Sequence, residues 1–167
     1  MPDAAALAVL SQDLLATGGV LATRHEHGKA RLDVEPAAVV DTLAALKAQG
    51  FRSLMSVHGL DYYPEEPRLG VQYELLDMTA RDRITVATRV TIADPHVPSV
   101  TPAWPTAEHQ EREIFDMFGV IFDGHPDLRR ILMPDDYEGH PQRRDFPIGG
   151  EPVLFTHNEK DVPGWIE

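Results

Sequence analysis

The chain has 167 residues, 15 Lys and Arg against 27 Asp and Glu, a formal net charge of −12, and no cysteine. That length is one domain's worth, and about two-thirds of its extended surface can be buried without covalent staples. The charge argues against a nucleic-acid binder and against adsorption to anionic lipid. The missing thiols exclude a disulfide framework, a thiolate zinc site and an all-thiolate iron–sulfur cluster held by this chain alone.

No run is long and apolar enough to span a bilayer as a helix, so direct transmembrane insertion is not expected. Residues 4–16 set Leu7, Leu10 and Leu14 at helical spacing, with Asp3 as N-cap and Gly18-Gly19 as a stop. The acidic residues Asp3 and Asp13 and the lack of a basic start read as a helix of the mature protein, not a signal peptide. Residues 20–25 and 30–35 read as two short strands joined by a turn at His27-Gly28. Pro36 opens a second helix to residue 49, with the stripe Val39, Val40, Leu43, Leu46 and Gly50 at the position after its end. Strand-like runs follow over 51–60, 69–78 and 83–92. In the last, Ile84, Val86 and Thr88 alternate with Thr85, Ala87 and Arg89. The order α-β-β-α-β-β-β predicts an α+β fold: a two-layer sandwich of one mixed sheet of about five strands with helices on one face.

Residues 94–105 hold four prolines and exclude helix or central strand. Thr106 then caps a third helix that Gly119 stops after Phe118. Residues 119–167 carry six Pro and six Gly but also Phe122, Tyr137, Phe146, Phe155 and Trp165. Disordered tails are normally poor in aromatics. An irregular segment with such anchors needs a surface to lie on, its own sheet or another protein. The expected organisation is a globular domain over 1–118, including the Pro-rich connection 94–105 and the helix 106–118, followed by an extended partner-docking tail over 119–167.

Three motifs could carry chemistry. In the helix 108–119, Ile114, Phe115, Met117 and Phe118 form one apolar arc that encloses Glu111, whereas Arg112, Glu113 and Asp116 fall outside it. A carboxylate on a buried face must be paired, protonated or hydrogen-bonded. The expectation is a buried ion pair from Glu111 to Arg129 or Arg130; the alternatives are an edge position reaching water, or a proton relay. Two Gly-His-Pro bends, Gly124-His125-Pro126 and Gly139-His140-Pro141, each aim an imidazole. These could ligate a metal with Asp135 and Asp136, but without HExxH-like spacing, hydrogen bonds to their own loop backbone are the expectation. The pairs Arg129-Arg130 and Arg143-Arg144 either dock on a partner's carboxylates or pair within the chain with Asp127, Asp135, Asp136, Glu138 and Asp145. A dinucleotide fingerprint, a P-loop, a GxSxG elbow and a cysteine nucleophile are all missing from the sequence.

The segment 111–147, EREIFDMFGVIFDGHPDLRRILMPDDYEGHPQRRDFP, closely resembles the signature of the C subunit of respiratory complex I, the NADH:quinone oxidoreductase. The approach DPHVPSVTPAWP and the exit EPVLFTH are similar too, so the resemblance covers roughly residues 90–157. It departs at His109-Gln110, where the family usually has an aromatic residue, and at Gln142 and Arg144, usually Leu and Lys. The resemblance implies a non-catalytic hydrophilic-arm subunit, peripheral on the cytoplasmic side of the cell inner membrane, docked on the neighbouring D subunit and other arm subunits. It implies no flavin, cluster or metal in this chain; NADH, flavin, iron–sulfur clusters and quinone would be bound by other subunits. The residues it marks as docking or tail-shaping are Glu111, Arg112, Glu113, Asp116, Phe118, Gly119, Gly124, His125, Pro126, Leu128, Arg129, Arg130, Gly139, His140, Pro141, Arg143, Asp145, Phe146 and Pro147. Relatives of this subunit also serve membrane-bound hydrogenase-type complexes, which is one alternative. A stand-alone metal-dependent hydrolase built on His125, His140 and an Asp is another.

Overall fold

The computed structural model describes residues 19–26 and 29–147. The expected helix over 4–16 and the turn at His27-Gly28 lie outside the described residues, as do the tail residues from 148 on. Five strands, β1 (Val20–Glu26), β2 (Lys29–Val34), β3 (Ser53–Asp61), β4 (Leu69–Asp77) and β5 (Asp82–Val90), form one sheet. Their order is β1-β2-β5-β4-β3. β2 runs parallel to β5 and the other neighbours are antiparallel, so the sheet is mixed as predicted. Helices α1 (Val39–Ala48) and α2 (Glu108–Phe118) supply the covering layer. Each is entered through a 3-10 turn that begins at a proline, Pro36 or Pro105. Proline fixes φ for a helical start, and so the turn, not a side chain, begins α2. Thr106 lies inside that turn and does not cap the helix, contrary to expectation.

The core lies between the helices and one sheet face. Leu32 and Val34 of β2, Val71, Tyr73 and Leu75 of β4, and Ile84 and Val86 of β5 meet Val39, Leu43 and Leu46 of α1 and Ile114 of α2. Val40, expected in the stripe of α1, is exposed instead. The alternation in β5 does not separate a buried from a solvated face, because Thr85 and Ala87 are buried as well as Ile84, Val86 and Thr88. Long polar side chains cover that second face. Thr85 Oγ1 donates to Glu74 at 2.8 Å, and Arg89 lies 4.1 Å over the Tyr62 ring while its Nε donates to the Pro67 carbonyl.

The Pro-rich connection is tied down by its aromatic residue. Trp104 Nε1 donates to the Arg52 carbonyl at 3.0 Å, and Lys47 of α1 lies 4.6 Å over its ring. Within this connection a short strand escaped the sequence reading. β6 (His96–Pro98) pairs in parallel with β7 (Ile121–Asp123), just past α2. Phe122 of β7 is buried in the core, so the chain after Phe118 begins as part of the domain.

Gly59 on β3 sits where α2 crosses it. A Cβ there would overlap the Phe118 ring and come within 3.2 Å of Ile114. Gly59→Ala is therefore expected to destabilise the domain by about 1–3 kcal/mol through overpacking. The check is a lower urea midpoint with an unchanged denaturant slope.

Candidate functional site

Helix α2 holds two fully buried carboxyl groups, and each fixes a different loop. Glu111 points to the connection ahead of the helix. Its Oε1 accepts the Val100 N–H at 2.8 Å, and its Oε2 accepts the Ser99 and Thr101 hydroxyls at 2.6 and 3.1 Å. Burial pushes its pKa up, outweighing the Ser99, Val100 and Thr101 hydrogen bonds that pull it down. The expected ion pair with Arg129 or Arg130 does not form. The β6–β7 pairing brings residues 99–101 under the helix, where short hydroxyl and amide donors fill the space around the carboxyl. His125 Nε2 comes within 4.0 Å of Glu111. It donates instead to the Glu108 carbonyl at 3.1 Å, while Nδ1 accepts the Asp127 N–H at 3.0 Å. That bond pattern assigns His125 the neutral Nε2–H tautomer, so its contact with Glu111 is not an ion pair.

Asp116, placed outside the apolar arc by the helical spacing, is also fully buried. Its Oδ1 accepts Arg130 Nη1 at 2.6 Å. Its Oδ2 accepts three successive backbone N–H groups, from Ile131, Leu132 and Met133, at 3.0, 2.8 and 2.8 Å. Burial pushes the Asp116 pKa up, but the Met133, Leu132 and Ile131 amides together with Arg130 hold it below the usual carboxylate range. Arg112 grips the same loop by its carbonyls, with Nε and Nη2 donating to Arg129 O and Arg130 O at 3.1 and 3.0 Å. An anion thus takes the amides of 131–133 while a cation takes the carbonyls just before them.

The C-terminal carbonyls of α2, orphaned by the helix geometry, are capped from the tail. His140 Nδ1 donates to Asp116 O at 3.0 Å and Arg143 Nε to Phe118 O at 2.7 Å. Burial lowers the His140 pKa, and the nearby Arg143 and Arg130 charges lower it further. Gly119 has φ 78°, and a Cβ there would meet Arg143 Nη2 and His140 Nε2 at 2.5 Å. Only glycine allows both the turn and the caps.

A second anchor lies on β3 and the strand entry of β4. Arg68 is buried and reaches Asp61 through Nε and Nη2 at 2.8 and 2.7 Å, and Asp145 through Nη1 at 2.7 Å. Arg68 holds the Asp61 carboxyl well below the usual range. Arg144 adds its N–H to Asp61 and its guanidinium to Tyr63 O, both at 2.8 Å. Phe146 stacks on Tyr137 with ring centroids 6.3 Å apart.

The model of the family described as "Respiratory-chain NADH dehydrogenase, 30 Kd subunit" matches residues 32–152. The chain belongs to this family. A relative from Saccharopolyspora erythraea, an NADH-quinone oxidoreductase C subunit, is 54% identical over 114 residues, covering 68% of this chain and 46% of that protein. A protein of the same name from Roseiflexus sp. is 45% identical over 146 residues, covering 86% of this chain and 84% of that protein. A solved trypsin-resistant fragment of Nqo5 superposes with a TM-score of 0.65 at 32% identity, over 73% of this chain and 98% of the fragment. The chain spans about half the length of several of the curated relatives it matches.

In this member of the 30 kDa family the residues singled out from sequence divide by place. Arg112, Asp116, Gly119, Arg130, His140 and Arg143 converge on the end of α2 and the loop after it. Glu111 and His125 lie on the other side of the helix, and Leu128 packs on the core. Asp145 belongs to the Arg68 anchor, and Phe146 stacks on Tyr137 near Gly139. Pro141 is partly buried, whereas Gly124, Pro126 and Pro147 are exposed. Glu113 and Phe118 line a groove of 360 Å³ between β3 and α2 with Gln110 and Gln142. Arg129 pairs with Asp127 at 2.8 Å. The arginine pairs are thus occupied within the chain, by Asp127, Asp116 and backbone carbonyls; Asp145 goes to Arg68, not to a doublet. Of the two imidazoles, His125 bonds both its own loop and the helix, and His140 the helix. Among the described residues no group of three or more His, Asp or Glu is placed to hold a metal. Sequence reasoning missed Ser99, Thr101, Asp61 and Arg68; an arginine abutting the apolar run of β4 was the available signal for the last.

Asp116→Ala would leave Arg130 and three amides without their acceptor. It is expected to cost about 3–5 kcal/mol in chemical unfolding at neutral pH. Glu111 has the opposite pH signature. Its folded pKa lies above the unfolded one, so the native state binds more protons, and its contribution to stability is lost as pH rises through the folded value. Urea midpoints measured from about pH 5 to pH 8 are expected to show this decline in the wild type and a flatter profile in Glu111→Gln.

Proposed function

We propose that the chain is the non-catalytic C subunit of a proton-translocating NADH:quinone oxidoreductase, docked on the D subunit of the hydrophilic arm. It supports electron transfer from NADH to quinone by holding the arm's geometry. It binds no flavin, cluster or metal itself, and it sits peripherally on the cytoplasmic side of the inner membrane. The observation that carries the proposal is how the described residues of the family signature use their chemistry. The buried carboxyls, the imidazoles and most of the guanidinium groups are occupied by backbone amides, carbonyls and intrachain partners. They shape and hold a surface. The family match over residues 32–152 supports the parent complex. No helix among the described residues is long and apolar enough to cross a membrane, which fits a peripheral arm.

Within this role Arg129 is the guanidinium of the first doublet most available to a partner, its side chain being 66% exposed. The test is affinity isolation of the tagged full chain from native membranes, with cross-linking to identify its neighbours. Recovery of NADH:quinone oxidoreductase subunits, with the D subunit cross-linked to the tail, is expected. Arg129→Ala is expected to leave the chain folded and to weaken assembly by about 2–5 kcal/mol. Isolation of a hydrogenase-type complex would reassign the parent enzyme. Stoichiometric metal in the purified chain, with no partner recovered, would favour the hydrolase alternative instead.

A further inference from the structure

The two loops fixed by the buried carboxyls of α2 differ in what they give the core. The loop at 99–101, held by Glu111, buries Val100 to 1% exposure and leads into buried Trp104. The loop at 131–133, held by Asp116, does the reverse. Its three amides turn inward to one carboxylate oxygen, while Ile131 and Leu132 stand 37% and 60% exposed. Arg112 and Arg130 add further bonds to the same few residues. The domain thus commits a buried anion and two arginines to fixing a loop whose largest apolar side chains it leaves in water. Ordering an exposed apolar pair beforehand removes an entropy cost that binding would otherwise meet.

The surroundings state what such a partner must look like. Pro134, Asp135, Asp136 and Glu138 follow the apolar pair and are all exposed. None of the ion pairs among the described residues uses Asp135, Asp136 or Glu138. The nearby cations have carboxylates of their own, Arg130 through a buried contact to Asp116 and Arg129, still 66% exposed, through a surface contact to Asp127. Among the described residues an apolar tip therefore sits beside an acidic rim whose carboxylates make no ion pair.

We propose that Ile131 and Leu132 form a preorganised apolar knob that inserts into an apolar pocket of a partner protein, and that Lys and Arg residues edge that pocket to face Asp135, Asp136 and Glu138. The proposal rests on the docking role given above and names the side chains that perform it. The test uses the tagged full chain isolated with its complex from native membranes, as wild type, as Leu132→Asp, and as the triple variant Asp135→Asn, Asp136→Asn, Glu138→Gln. Leu132→Asp is expected to lower partner retention by about tenfold or more, with an unchanged thermal midpoint, because its backbone anchors to Asp116 remain. The triple variant is expected to weaken retention and to flatten its dependence on ionic strength. Hydroxyl-radical footprinting of the wild type is expected to show Leu132 protected several-fold in the complex relative to the free chain.

Retention of Leu132→Asp at the wild-type level, or equal labelling of Leu132 in the free and assembled wild type, overturns the knob. Footprinting decides alone where the variant does not fold. Recovery of an assembled complex with Leu132 unprotected overturns the knob and leaves the docking role standing. A wild-type chain that brings down no partner overturns both.

Discussion

The C-terminal half of the described structure depends on one interaction, the carboxylate of Asp116 inside a nest of three backbone amides and a guanidinium. Its location is unfavourable on two counts. It is buried, and it stands in the last turn of a helix, where the macrodipole disfavours an anion. Both penalties are offset by the segment that follows. The amides of 131–133 and Arg130 satisfy the carboxylate, while Arg143 and His140 cap the carbonyls at the same helix end. The loop has no regular structure of its own, so without Asp116 its amides lack acceptors. Without the loop, Asp116 is an unpaired buried charge. Helix end and loop therefore form together.

Glu111 and Asp116 sit five positions apart on the same helix, both with no exposed surface, and their pKa values move in opposite directions. Burial raises both. Glu111 receives one amide and two hydroxyls and no arginine, so desolvation wins. Asp116 receives three amides and a guanidinium 2.6 Å away, so its partners win. Depth of burial, greater at Glu111, and the number and formal charge of the donors together decide the direction. Acid weakens the clasp at Asp116, where the native state binds fewer protons than the unfolded chain. Alkali weakens the anchor at Glu111, where it binds more.

The parts of this fold that repeat were legible in sequence. The five strands and the two described helices announced themselves by period and punctuation, within a residue or two of their ends. β6 and β7 did not, since three residues carry no period and Pro98 argues against a strand. That omission spread to the site. Placing Glu111 on a buried face required only the helical arc, but naming its partners required knowing that β6 runs beside β7 and brings Ser99 to Thr101 under the helix. The arc misled for Asp116 because it sorts positions by the hydrophobicity of the helix's own residues. The flank of Asp116 is covered by a polar loop, and backbone amides leave no trace in a hydrophobic pattern. Arg68 and Asp61 escaped for a related reason: their pairing spans the sheet edge, and Asp145 joins them from 77 residues away in sequence.

The arginines of the family signature show how a conspicuous motif can be shifted from one task to another by packing. Two basic doublets in a chain of net charge −12 read either as partner contacts or as intrachain pairs. In the fold, Arg130, Arg143 and Arg144 each donate to carbonyls of the chain itself, as Arg112 does beside them. A guanidinium so engaged has fewer free donors for a partner, and withdrawing it would expose orphaned carbonyls. The surface left for recognition then has the complementary composition: carboxylates whose cations lie elsewhere, and apolar side chains whose backbone is already fixed. Holding an irregular segment by its main chain frees its side chains to face outward, which a segment packed by its own apolar groups cannot do.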